Sequence, residues 1–107
     1  MVVFPDAFTV ANRQRIADAA LKARVAAVSG WAEFAESGFL LSYGPNLRVS
    51  YGRLATFADK VLKGASAGTL PVERPSVVEM VYNARTAHAL RREVPKTVVA
   101  RADRVLQ

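Results

Sequence analysis

The chain has 107 residues, enough for one compact domain that buries roughly two thirds of its unfolded surface and too few for two. Hydrophobic residues make up 51% and charged residues 22%, the balance of a globular protein rather than of a disordered tail, and fifteen Lys and Arg against nine Asp and Glu leave a net charge of +6. The absence of cysteine excludes disulfides, thiolate metal sites and cysteine nucleophiles, and no run reaches the ~20 apolar residues of a membrane span.

Met1 to Phe4 is a short apolar run ended by Pro5 and Asp6, which predicts a buried strand that stops at a turn. The same stretch lacks a basic leader and a long apolar core, so it does not read as a signal peptide, and the chain expressed in this form is expected in the cytoplasm. Thr9 is placed to cap a helix through about Arg24, with Val10, Ile16, Ala17, Ala20 and Leu21 along one stripe and Arg13 lifting its charge to water. Val25 to Val28 reads as a second strand, which makes a strand–helix–strand unit with parallel strands and a right-handed crossover. Trp31 to Glu36 follows as one or two helical turns ending near Gly38, and Phe39 to Tyr43 is a third strand stopped by Gly44 and Pro45.

From Leu47 to Lys63, the residues Leu47, Tyr51, Leu54, Ala55, Ala58, Val61 and Leu62 repeat at the spacing of one buried helix face, and Gly64 sits where a left-handed cap belongs. Gly52 inside this helix costs on the order of 1 kcal/mol relative to alanine. Ala65 to Ser76 holds Gly68, Pro71 and Pro75 and reads as a surface connection. Val77 to Tyr82 is a fourth strand, Asn83 caps a helix through about Arg92, and Pro95 starts a last helix in which Val98, Ala102 and Val105 share a face.

The inventory for catalysis is thin. His88 is the only histidine and reads as a helix-surface residue, while Ser29-Gly30 and Ser42-Tyr43-Gly44 lack the flanking glycines of a nucleophile elbow. No glycine-rich phosphate loop follows any strand, so neither an enzyme, a cofactor nor a metal is expected. In open parallel α/β sheets, ligands collect at the carboxyl ends of strands. That rule singles out Pro5 to Phe8 and Ser42 to Asn46, and within them Asp6 for a ligand amine, Phe8 and Tyr43 for stacking, and Ser42 for a hydrogen bond. The other reading of the same residues makes Asp6 and Asn46 turn and cap residues and Phe8 and Tyr43 core. The cations, among them Arg13, Arg15, Lys22, Arg24, Arg48, Arg53, Lys60 and Lys63, are scattered over helix faces without interleaved aromatics, which reads as solvated surface rather than a nucleic-acid patch.

Several ordered blocks resemble the tryptophan/tyrosine-type ABC transporter substrate-binding family. They are Phe4-Pro5-Asp6, then Trp31 to Gly38, Leu41 to Asn46, Asp59 to Gly64, Leu70 to Pro75, Asn83 to Ala87 and the closing Ala100 to Val105. The resemblance implies an α/β chain with a partial periplasmic-binding-protein-like I fold, in which short parallel strands alternate with amphipathic helices. It also implies a single unit, residues 1–107, equivalent to the carboxy-terminal third of a two-lobed protein that closes over a small organic solute such as an amino acid. An ABC permease and ATPase are then the partners, and the location is periplasmic or extracytoplasmic. The chain departs from the family at Gly38-Phe39-Leu40-Leu41 and at Ala89-Leu90-Arg91-Arg92, where a small turn is usual. A piece of a larger sheet leaves apolar surface uncovered, so a homodimer, with strands or domains exchanged, is expected. The rival readings are a small basic module that binds nucleic acid, supported by net charge alone, and a flavodoxin-like regulatory domain, supported by the strand–helix alternation alone.

Overall fold

The computed structural model describes all residues from Met1 to Gln107. Five strands form one sheet in sequential order: β1 (Val2–Val3), β2 (Val28–Ser29), β3 (Leu41–Pro45), β4 (Val78–Asn83) and β5 (Arg104–Leu106). The pairs β1–β2, β2–β3 and β4–β5 are parallel, as the strand–helix alternation predicts, while β3 and β4 run antiparallel from Leu41 opposite Tyr82 to Pro45 opposite Val78.

The first helical stretch is two helices, α1 (Ala7–Ala11) and α2 (Arg13–Lys22), broken at Asn12. Its cap is Asp6 rather than Thr9. Asp6 Oδ1 accepts the Thr9 amide at 2.6 Å, and Thr9 Oγ1 accepts the Asp6 amide at 2.9 Å, a reciprocal capping box that starts the helix three residues before Thr9. At the far end Arg24 takes a left-handed φ of 55°, and the Val25 amide returns to the Ala20 carbonyl. Helix capping thus consumes Val25, and the second strand forms at Val28–Ser29 instead of Val25–Val28.

Helix α3 (Ala32–Glu36) leads to Phe39, which is a buried loop residue and not the start of a strand. Phe34 and Phe39 are fully buried and meet edge to face, with centroids 5.1 Å apart. Together with Ala17, Ala20 and Ala27 they form the core between the helices and the sheet, and Val3, Ile16 and Trp31 pack around it. Helix α5 (Ala84–Ala89) begins at Asn83 as the sequence predicts. Asn83 Oδ1 accepts the Thr86 amide, and its Nδ2 donates to the Ala35 carbonyl at 2.8 Å, so one buried side chain both caps α5 and ties it to α3. The helix ends early, at the left-handed Arg91, with φ 50°. Helix α6 (Lys96–Val99) is a single turn. Val105, expected on a helix face with Val98, lies instead in β5, where pairing with β4 beyond an Asp103–Met80 bond wins over helix propensity.

Residues 46–77 are an excursion from the far end of the β3–β4 ribbon. Helix α4 (Leu47–Leu62) is capped by Asn46, whose Oδ1 accepts the Val49 amide, and closes at Gly64 with φ 99°. Its formation follows the periodicity, but none of its residues is buried, contrary to the buried face read from that spacing. Nothing lies within 4 Å of a β carbon placed on Gly52, so that glycine marks no close backbone approach. The molecule is elongated, 55 × 30 × 19 Å, because this arm projects from the body.

Candidate functional site

The carboxyl ends of the three parallel strands β1, β2 and β3 lie side by side, where backbone groups leave the ladder and side chains of the following turns converge. A cavity of about 330 Å³ opens there, with Phe4, Pro5, Gly30 and Tyr43 at its mouth and Val2, Val28 and Leu41 beneath. Strand alternation explains the floor. Val2, Val28 and Leu41 are in register across the sheet and share one face, and Tyr43, two residues beyond Leu41, falls on the same face. Val3, Ser29 and Ser42 point to the opposite face, toward the core.

The strand ends are held backbone to backbone. A β carbon on Gly44 would stand 2.0 Å from the Gly30 carbonyl oxygen, and one on Gly30 would stand 3.1 Å from Pro5 Cγ. Glycine at both positions lets the turn after β2 lie against the backbone of β3, which places Phe4 and Tyr43 at one opening. Both aromatic rings are open to solvent, with Phe4 81% and Tyr43 61% exposed. No charged side chain lines the cavity, so it offers van der Waals and stacking surface with the Tyr43 hydroxyl as a polar handle.

Of the four residues singled out in the sequence, Tyr43 alone lines this cavity. The Asp6 carboxylate is engaged in the α1 cap, and the Thr9 amide holds it below the ordinary value of 3.8. Phe8 faces a different and larger apolar groove of about 550 Å³ on α1 and α2, beside Met1, Ile16 and Val25. Ser42 is 1% exposed on the core side, and its hydroxyl has no hydrogen-bond partner. Phe4 and Gly30 were missed. The legible signal was Phe4 immediately before Pro5 at a strand end; Gly30 gave none, because its role depends on Gly44.

Two further features lie outside the cavity. Arg53 grips Glu73 through two hydrogen bonds, Nε to Oε2 at 2.6 Å and Nη2 to Oε1, and thereby straps the 70–76 segment to α4. This hydrogen bonding and the guanidinium charge hold the Glu73 carboxyl below its ordinary range. A polar hollow of about 420 Å³ between α3 and the start of α4 contains Glu33, Glu79 and Arg48 with the Arg104–Glu36 pair, 2.9 Å apart. No helix is long and apolar enough to cross a membrane.

No family model matches the chain, and no curated protein does. Solved structures do. A conserved domain protein from Vibrio cholerae superposes with a TM-score of 0.91 at 22% identity, over 97% of this chain and 35% of the other. The ABC domain in complex with L-Trp from Streptococcus pneumoniae gives 0.88 at 20% identity over 98% and 36%. A ligand-free, open substrate-binding protein with adhesive properties from Clostridium difficile gives 0.63 at 20% identity over 99% and 35%. The chain spans little more than a third of each of these proteins. It therefore has, along nearly its whole length, the mostly parallel α/β fold of about a third of each of these proteins.

Proposed function

We propose that this chain is the carboxy-terminal third of an extracytoplasmic solute-binding protein of an ABC importer, binding a small organic solute of the amino-acid class without transforming it. An ABC permease and ATPase are its partners in that role. The observation that carries the reading is the uncharged cavity at the ends of β1, β2 and β3, walled by Phe4 and Tyr43. Its size suits the apolar part of an amino-acid-sized solute, and its openness on one side suits a second wall contributed by another lobe. The β3–β4 ribbon supports the same reading: two antiparallel strands leave the body together and carry α4 beyond it, the arrangement expected of a hinge. The chain superposes better on the protein holding L-Trp than on the ligand-free, open one, at equal identity and near-equal coverage, which accords with a bend at that ribbon.

Half a cleft loses most of the burial that gives affinity, so the isolated chain is expected to bind weakly. The test is an amide NMR titration with L-tryptophan and, in parallel, L-glutamate. Shifts confined to Phe4, Gly30, Tyr43 and Gly44 with L-tryptophan, abolished by Tyr43→Ala, support the proposal. Shifts centred on the α1–α2 groove, or none at any of those four residues, overturn it.

A further inference from the structure

Helix α4 is joined to the body through the β3–β4 ribbon and packs extensively against none of the body's helices. The gap beside the ribbon, between arm and body, is the polar hollow of about 420 Å³. Its body wall carries Glu33 and Glu36 on α3 and Arg104 on β5, and its arm wall carries Arg48 at the start of α4. Glu79 belongs to the ribbon itself, opposite Gly44.

Arg104 and Glu36 neutralise each other at 2.9 Å. The other three charges, Glu33, Glu79 and Arg48, belong to no ion pair, although they face one space. They are sorted by wall, with carboxylates on the body and the ribbon and the guanidinium on the arm. Arg48 is also poorly placed for its own helix. It stands in the first turn of α4, where the macrodipole disfavours a cation, and no acidic residue in that turn offsets it. The two free carboxylates differ in what a bend would do to them. Glu79 sits only a few residues along the ribbon from Arg48, so its separation from Arg48 changes little when the ribbon flexes, whereas Glu33 is fixed to the body and moves relative to the arm.

We propose that Arg48 and Glu33 form an electrostatic latch across this gap: a bend of the ribbon that narrows the hollow brings them into an ion pair, which holds the arm against the body. The inference rests on the hinge reading of the ribbon given above and adds the contact that sets its angle. In the structure the pair is unformed, so the latch stands open. An exposed ion pair is weak, but here it opposes no packed interface, and it is enough to redistribute the arm roughly two- to fivefold.

Because the chain has no cysteine, Leu62→Cys on the arm and Ala89→Cys on the body, both exposed, accept spin labels without competition. Double electron–electron resonance on the intact chain should show a latched population that falls roughly two- to fivefold in Arg48→Gln, equally in Glu33→Gln, and further in Arg48→Glu. Molar salt should produce the same loss in the native chain. The reversed pair Arg48→Glu with Glu33→Arg should restore the native distribution, and Arg48→Glu with Glu79→Arg should not. A distribution unmoved by Arg48→Gln, a reversed pair that fails to restore it, or equal rescue by Glu79→Arg overturns the latch and leaves the hinge. One narrow distance shared by every variant and salt concentration overturns both.

Discussion

Replacing Gly44 by alanine and, separately, Gly52 by alanine adds the same methyl group with opposite expected signs. At Gly44 the new carbon would stand 2.0 Å from the Gly30 carbonyl oxygen and 2.9 Å from its carbonyl carbon. A carbon and a carbonyl oxygen approach comfortably to about 3.3–3.6 Å, so β2 and β3 must part by more than about 1 Å at their carboxyl ends. Both colliding groups are backbone, and no side-chain rotation relieves them. Overpacking of this kind costs about 1–3 kcal/mol, a large share of the stability of a small domain. At Gly52 nothing lies within 4 Å, and alanine is the better helix former by about 1 kcal/mol. Urea unfolding followed by circular dichroism should move the midpoint down for Gly44→Ala and up for Gly52→Ala, with unchanged slopes. A midpoint for Gly44→Ala at or above the native one would refute the close strand contact and with it the placement of Tyr43 beside Phe4.

Three more outcomes are expected. The Asp6 carboxyl is held below 3.8 in the folded chain, so the cap's contribution is complete above the unfolded value and is lost as pH falls through the depressed folded one; the Thr9 amide resonance should report this, and Asp6→Asn should abolish it. A midpoint for Thr9 at or above 3.8 would contradict the cap. Arg91 stands in the left-handed region, which costs a non-glycine residue about 1–2 kcal/mol, partly offset by glycine's greater chain entropy, so Arg91→Gly should raise stability by up to about 1 kcal/mol in thermal unfolding. Glu73→Gln should speed hydrogen exchange across residues 70–76 while leaving α5 unchanged, and high salt should reproduce part of the effect on the native chain; protection that persists in both would show that the Arg53–Glu73 pair does not hold the segment.

Locally encoded features were legible in the residues. Asn46, Asn83 and Gly64 cap their helices as their chemistry requires, and α4 runs over the stretch that its periodicity marks. The closing strand was not legible, because Arg104-Val105-Leu106 becomes a strand only through the β4 edge beside it. The candidate site was half legible. Tyr43 follows from its place at a strand end and the capping role of Asp6 from one of the two readings its residue type allowed, whereas the separation of Phe8 into another groove depends on where helix α1 starts.

The sequence by itself determined most of the helical segments and that strands alternate with helices. Only the tertiary structure decided that β3 and β4 run antiparallel, that Gly30 meets Gly44, and that the apolar stripe of α4 faces solvent. The reason is one of range: caps and periodicity act within a few residues of the chain, whereas strand direction, register and burial are set by partners tens of residues away, and an apolar stripe announces that it wants cover without specifying from where.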